Sequence, residues 1–143
     1  MGEMDGLSIL FGLQDLWFRT KIVDTAARLG DRAYFASTKE EFWDRVHKVR
    51  PSLIILDLGA PSLDPLLLIQ ALKLDPTLQR IPILGFVAHV NSEMRRHALA
   101  SGCDEVVARS AFSRRLPAFL ERYRTPAAPG SRVLGEADRE EPL

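Results

Sequence analysis

Along this chain, short unbroken apolar runs alternate with longer stretches in which apolar residues recur every three or four positions. Leu7 to Leu13 is a nearly continuous apolar run, short and followed by polar residues, as expected of a strand covered on both faces of a parallel sheet. From Leu16 the positions Leu16, Ile22, Val23, Ala26, Ala27 and Leu29 fall near helical spacing, with Asp15 available as N-cap and Gly30 as terminator. Arg32 to Ala36 predicts a second strand. Thr38 and Glu41 then form an S/T-x-x-E capping box, opening a helix that carries Phe42, Trp43, Val46 and Val49. Pro51 ends it, and Leu53-Ile54-Ile55-Leu56 is the strongest buried-strand signal in the chain, closing on Asp57.

Leu58 to Leu63 carries Gly59 and Pro61 and reads as a loop; Asp64-Pro65 supplies an N-cap and a first-turn proline for a helix through about Leu74. Pro82 to Val87 predicts the fourth strand, and Glu93 to Ala100 a helix stopped by Gly102. Glu105 to Ala108 predicts the last strand, and Arg114 to Tyr123 the last helix, with Pro117 tolerated in its first turn. The expectation is five strands and five helices in strict alternation. Such alternation implies right-handed crossovers, a parallel sheet with helices on both faces, and a site at the carboxyl ends of the strands.

Composition supports one packed domain. At 143 residues with 46% apolar and 27% charged, the chain is long enough for its own core. Residues 1–6 read as an N-terminal extension and 7–124 as the domain. The Pro- and Gly-containing stretch 125–143 reads as a disordered tail with no output domain after it. Nineteen basic residues balance nineteen acidic ones, so no global field draws the protein to nucleic acid or anionic lipid. Seven arginines between Arg95 and Arg124 bias the C-terminal part, without the aromatic interleaving of a nucleic-acid surface, and are expected to form a charged rim. The lone Cys103, the lack of a signal-peptide pattern and the lack of a bilayer-spanning run of roughly 18 apolar residues point to the cytoplasm. No nucleophile elbow, Walker or dinucleotide glycine pattern appears, and no zinc-type spacing joins the three histidines to Cys103.

At the expected strand ends lie Gln14 and Asp15, then Asp57, then Val87 and Ala88, then Arg109. The segment from Ser52 to Asp64, SLIILDLGAPSLD, resembles the pattern of response-regulator receiver domains: a hydrophobic third strand, a phosphoacceptor aspartate and a proline-containing loop. The spacings from Asp57 to Val87 and to Arg109 are similar to that family's spacings from acceptor to switch hydroxyl and to strand-five lysine. The resemblance covers residues 7–124. It implies a flavodoxin-like, doubly wound sheet in strand order 2-1-3-4-5, with Asp57 as phosphoacceptor and Arg109 as the phosphoryl contact. It further implies magnesium held by Asp15, Asp57 and the backbone of Gly59, since that ion takes oxygen ligands and offsets charge on a transferring phosphoryl group.

The pattern is incomplete. Aligning the family's acid pair with Gln14-Asp15 leaves one carboxylate, and sliding it to Gly12-Leu13 leaves none. Val87 has no hydroxyl, Val106 replaces the aromatic switch, and Ser110 replaces the usual proline. Two functional readings stay open: an atypical stand-alone receiver in a phosphorelay, partnered by a histidine kinase or other signalling protein, and a pseudo-receiver that binds or dimerises without phosphorylation. In the second, the face formed by the fourth helix, last strand and last helix, with Met94, Phe112 and Phe119 nearby, carries the function. An enzyme of another class on the same architecture is a third. Taken alone, Asp57 equally serves as a turn cap, Asp15 as a helix cap, Arg109 as a solvated charge, and His47, His89 and His97 as surface residues.

Overall fold

The computed structural model describes residues 6–124. Its strands are β1 (Ser8–Gly12), β2 (Arg32–Ala36), β3 (Leu53–Asp57), β4 (Ile83–Val87) and β5 (Glu105–Ala108). Its helices are α1 (Leu16–Leu29), α2 (Lys39–Val49), α3 (Pro65–Leu74), α4 (Ser92–Ser101), α5 (Arg109–Arg114) and α6 (Leu116–Arg124), with a 3-10 turn at Pro61–Leu63. All strand pairs are parallel and the order is β2-β1-β3-β4-β5, as expected. The order reverses between β1 and β3, so the switch point lies beside the end of β3. The 125–143 tail and most of the 1–6 extension lie outside the described residues.

Alternation along the strands divides the core into two layers. Ile9 and Phe11 of β1, Leu53 and Ile55 of β3, Leu84 and Phe86 of β4, and Val107 of β5 face Phe18 and Ile22 of α1, Phe112 of α5, and Phe119 and Leu120 of α6. Leu10, Ile54, Leu56, Ile83 and Val106 face Phe42 and Val46 of α2, Leu68, Ile69 and Leu72 of α3, and Ala98 of α4. By the same period of two, Asp57 and Arg109 continue the rows on the α1 side, whereas Val87 continues the row toward α3 and α4.

The local signals work as their chemistry requires. Asp15 accepts the N–H groups of Trp17 (2.9 Å) and Phe18 (3.1 Å), and Gly30 closes α1 at φ 79°. Thr38 accepts the Glu41 N–H at 3.1 Å, but the Glu41 carboxylate reaches back to the Ser37 N–H at 2.8 Å, one residue earlier than a capping box requires. That hydrogen bond leads the causes holding the Glu41 carboxyl below its usual range. Gly85 is required by packing: a Cβ there would lie 2.8 Å from Leu58, whose side chain tucks beneath the sheet and anchors the loop after Asp57.

Four expectations are corrected. There are six helices, because the predicted final helix is preceded by a separate short one: the chain turns into α5 at Arg109, and Arg115, at φ −115° and ψ 28°, separates it from α6. Asp64 precedes α3 but caps nothing with its side chain; it adopts φ 49° in closing the Pro61–Leu63 turn, a conformation that Asp tolerates better than most residues. The buried stripe of α1 runs through Phe18, Ile22, Thr25 and Ala26, while Leu16 and Val23 are exposed. Phe112 and Phe119 belong to the core and offer no surface apolar patch, because α5 and α6 turn these rings under the sheet against Phe86 and Phe18.

Cys103 is free and buried at the entry to β5, with its S–H donating to the Glu105 carbonyl at 3.1 Å. Burial pushes the thiol from 9.0 up to about 12. The folded state therefore holds the proton more tightly than the unfolded state, a contribution complete below pH 9.0 and lost as the pH rises toward about 12. A thiol reagent at pH 8 should label the native protein only as fast as it opens, and denaturant should accelerate labelling. Rapid stoichiometric reaction in native buffer would contradict this burial.

Candidate functional site

The residues expected at the strand ends converge. Asp57 is the last residue of β3, held in place from below by Leu58 and laterally by the Leu58 N–H bond to the Phe86 carbonyl at 2.8 Å. Its Oδ1 accepts the Gly59 N–H at 2.9 Å, which fixes the carboxylate at the mouth of the sheet with 16% of its side chain exposed. Arg109, the first residue of α5, comes from β5 and extends over the α1-side layer. Its Nη2 donates to Asp15 Oδ2, and its Nη1 lies 3.9 Å from Asp57 Oδ2. Its guanidinium carbon sits 4.9 Å above the Phe18 ring centroid and 5.7 Å from that of Phe86, two faces favourable to a cation.

Other expected positions stay apart. Gln14 is exposed, and Leu13, one residue beyond the Gly12–Leu56 pair and so level with Asp57, is buried and apolar. Val87 is half-buried against the α3 and α4 layer, and Val106 is fully buried there. His47, His89 and His97 are exposed; His47 stacks on Trp43 and bonds its carbonyl through Nδ1 at 2.8 Å.

The described geometry does not fit magnesium. Each carboxylate already has one oxygen committed to backbone N–H groups, Asp15 to Trp17 and Phe18, and Asp57 to Gly59. The remaining oxygen of each faces the Arg109 guanidinium, which lies where a shared cation would have to sit. Among the described residues no group of three or more His, Cys, Asp or Glu side chains is placed to hold a metal ion.

Sequence reasoning missed two buried carboxylates. Glu105, on β5, accepts the Tyr123 hydroxyl at 2.8 Å and pairs with Arg122 of α6. Asp31, in the turn before β2, accepts the Leu7 N–H at 2.9 Å and pairs with Arg124 at 3.0 Å. The only available hint was an acid at the edge of a strand, which is commonplace. Arg109, Arg122 and Arg124, expected as part of a charged rim, are instead committed to internal partners.

No family model matches this chain. A curated relative, Protein RcaC of Microchaete diplosiphon, is 30% identical over 66 residues, 46% of this chain; the match spans only about a tenth of that protein, 10% of its length. A response regulator from Hahella chejuensis shares 20% identity at a TM-score of 0.75, covering 81% of this chain and 93% of the other. The phosphorylated cyanobacterial phytochrome response regulator RcpA shares 19% at 0.76, covering 86% and 97%. The chemotaxis response regulator CheY4 of Vibrio cholerae shares 19% at 0.75, covering 82% and 98%. The chain thus has the receiver fold, of the CheY-like, flavodoxin-like type. Among the described residues no helix is long and apolar enough to cross a membrane.

Proposed function

We propose that this chain is a receiver-type signalling domain that works by contact with other proteins, with Asp57 as its phosphoacceptor and Arg109 as the group that meets the phosphoryl oxygens. The observation that carries this reading is the meeting of Asp57, Asp15 and Arg109 at the switch point of a receiver fold. In the reaction Oδ2 of Asp57, the oxygen not bonded to Gly59, attacks phosphorus, the donor's bridging bond breaks with its electron pair leaving on the donor, and an acyl phosphate remains on Asp57. A guanidinium matches phosphoryl oxygens well, and Arg109 already lies 3.9 Å from Asp57 Oδ2. A histidine kinase or another signalling protein is the partner of this reading, meeting the chain in the cytoplasm, and homodimerisation through the face of α4, β5 and α6 is compatible with it.

Intact mass after incubation with a small acyl phosphate tests it. One added phosphoryl group on the wild type and none on Asp57→Asn is the expected result. No addition under any condition would remove Asp57 from its role. That outcome would favour the second reading, a pseudo-receiver, which draws support from Val87 and Val106: neither can hydrogen-bond a phosphoryl group or swing an aromatic ring toward it. Under that reading, charge reversal on exposed positions of α4 such as Arg96 abolishes partner binding while Asp57→Asn leaves it unchanged.

A further inference from the structure

The position of Arg109 goes further than a substitute for a lysine. Its guanidinium occupies the gap between the inner oxygens of Asp15 and Asp57 and rests on the faces of Phe18 and Phe86. One cation between two carboxylates leaves the cluster with a single net negative charge. It also joins three separate points of the fold: the start of α1, the end of β3 and the start of α5. A divalent ion entering this gap would have to displace a cation that is partly shielded, with 33% of its side chain exposed, and held by ion pairs and aromatic faces together. In return it would gain two protein carboxylates, each already sharing an oxygen with backbone N–H groups, and at most the Gly59 carbonyl, since Leu13 puts an apolar side chain level with Asp57.

We infer that Arg109 is a resident counter-cation that takes the place of a divalent metal, so that the pocket is held together, and any reaction at Asp57 proceeds, without magnesium. The inference rests on reading these residues as the receiver pocket. Removal of Arg109 should therefore create a metal site.

Manganese, followed by electron paramagnetic resonance of the free ion, is the probe. The wild type should show no Asp57-dependent binding at millimolar metal. Arg109→Gln, which retains a planar polar group without the charge, should bind manganese at least about tenfold more tightly than the wild type, because one unit of local positive charge is gone. The double variant Arg109→Gln/Asp57→Asn should lose that gain. Arg109→Lys should fall between, because an ammonium cannot span two carboxylates as a guanidinium does.

Manganese binding by the wild type that disappears in Asp57→Asn would overturn the inference, and this requires no variant at Arg109 to fold. A folded Arg109→Gln protein that gains no metal affinity would overturn it as well. Phosphorylation of Asp57 that requires magnesium would count against it, whereas absence of phosphorylation with and without metal would remove the functional role of Asp57 and leave the counter-cation intact. The two readings therefore fail separately.

Discussion

Replacing Asp31 with alanine should cost about 3 kcal/mol of stability, a fall of roughly 10 to 15 °C in Tm for a domain of this size. The Asp31 side chain is fully buried and serves two elements at once. It accepts the N–H of Leu7 just before β1, and it pairs with Arg124 in the last turn of α6. Removing it leaves a buried N–H without its acceptor and takes from the mostly buried Arg124 guanidinium, 22% exposed, its buried carboxylate partner, leaving it the exposed Glu121 at 3.4 Å and the Leu29 carbonyl at 3.3 Å. An orphaned buried N–H and a weakened buried ion pair together cost more than the net worth of the lost hydrogen bonds. Asp31→Asn keeps an oxygen for Leu7 and should lose about 1 kcal/mol less than alanine. Urea unfolding of the two variants decides the matter: equal and small losses would show that α6 does not depend on this clamp.

Phe112→Ala should be as damaging, costing about 3 to 5 kcal/mol by loss of a buried ring and the cavity left behind. Phe112 is fully buried, stacked on Phe86 with centroids 5.2 Å apart and planes at 8°, and set edge-on to Phe18 at 5.7 Å. It also leans on Phe119 of α6, so its ring fills the junction of α1, β4, α5 and α6. Phe18 and Phe86 are the rings beneath Arg109, so the same cavity should loosen the guanidinium above them. Phe112→Leu, which retains most of the volume, should lose well under half as much. A loss below about 1 kcal/mol for the alanine variant, measured by denaturant midpoint, would mean that α5 is not seated by this ring.

These expectations depend on residues whose roles differ in how easily they could be read. Asp57 was legible because a strand end, a loop proline and a family-like spacing coincide within thirteen consecutive residues, Ser52 to Asp64. Asp15 was legible as a helix cap, and it is one: the same carboxylate caps α1 through Oδ1 and meets Arg109 through Oδ2. Arg109 was legible as a position and not as a contact. Its partner Asp15 is 94 residues away in sequence, and no local pattern marks the pair. Phe112 and Phe119 looked like candidates for an exposed face because helix phase near a chain end is poorly determined when a proline and a break intervene. Glu105 and Asp31 were not legible at all, because an acid can be buried only once its arginine has been brought to it by the fold.

The break between α5 and α6 and the idle side chain of Asp64 aside, the sequence carries the alternation of strands and helices, the parallel sheet and the Asp15 and Thr38 caps. Those follow from hydrophobic periodicity and from hydrogen bonds between near neighbours, which act within a few residues of chain. Which charges meet is set by the folded arrangement. It set Arg109 between Asp15 and Asp57, Arg122 on Glu105 and Arg124 on Asp31. Coulombic pairing depends on distance and shielding in space, and neither is defined until the sheet has brought its strand ends together.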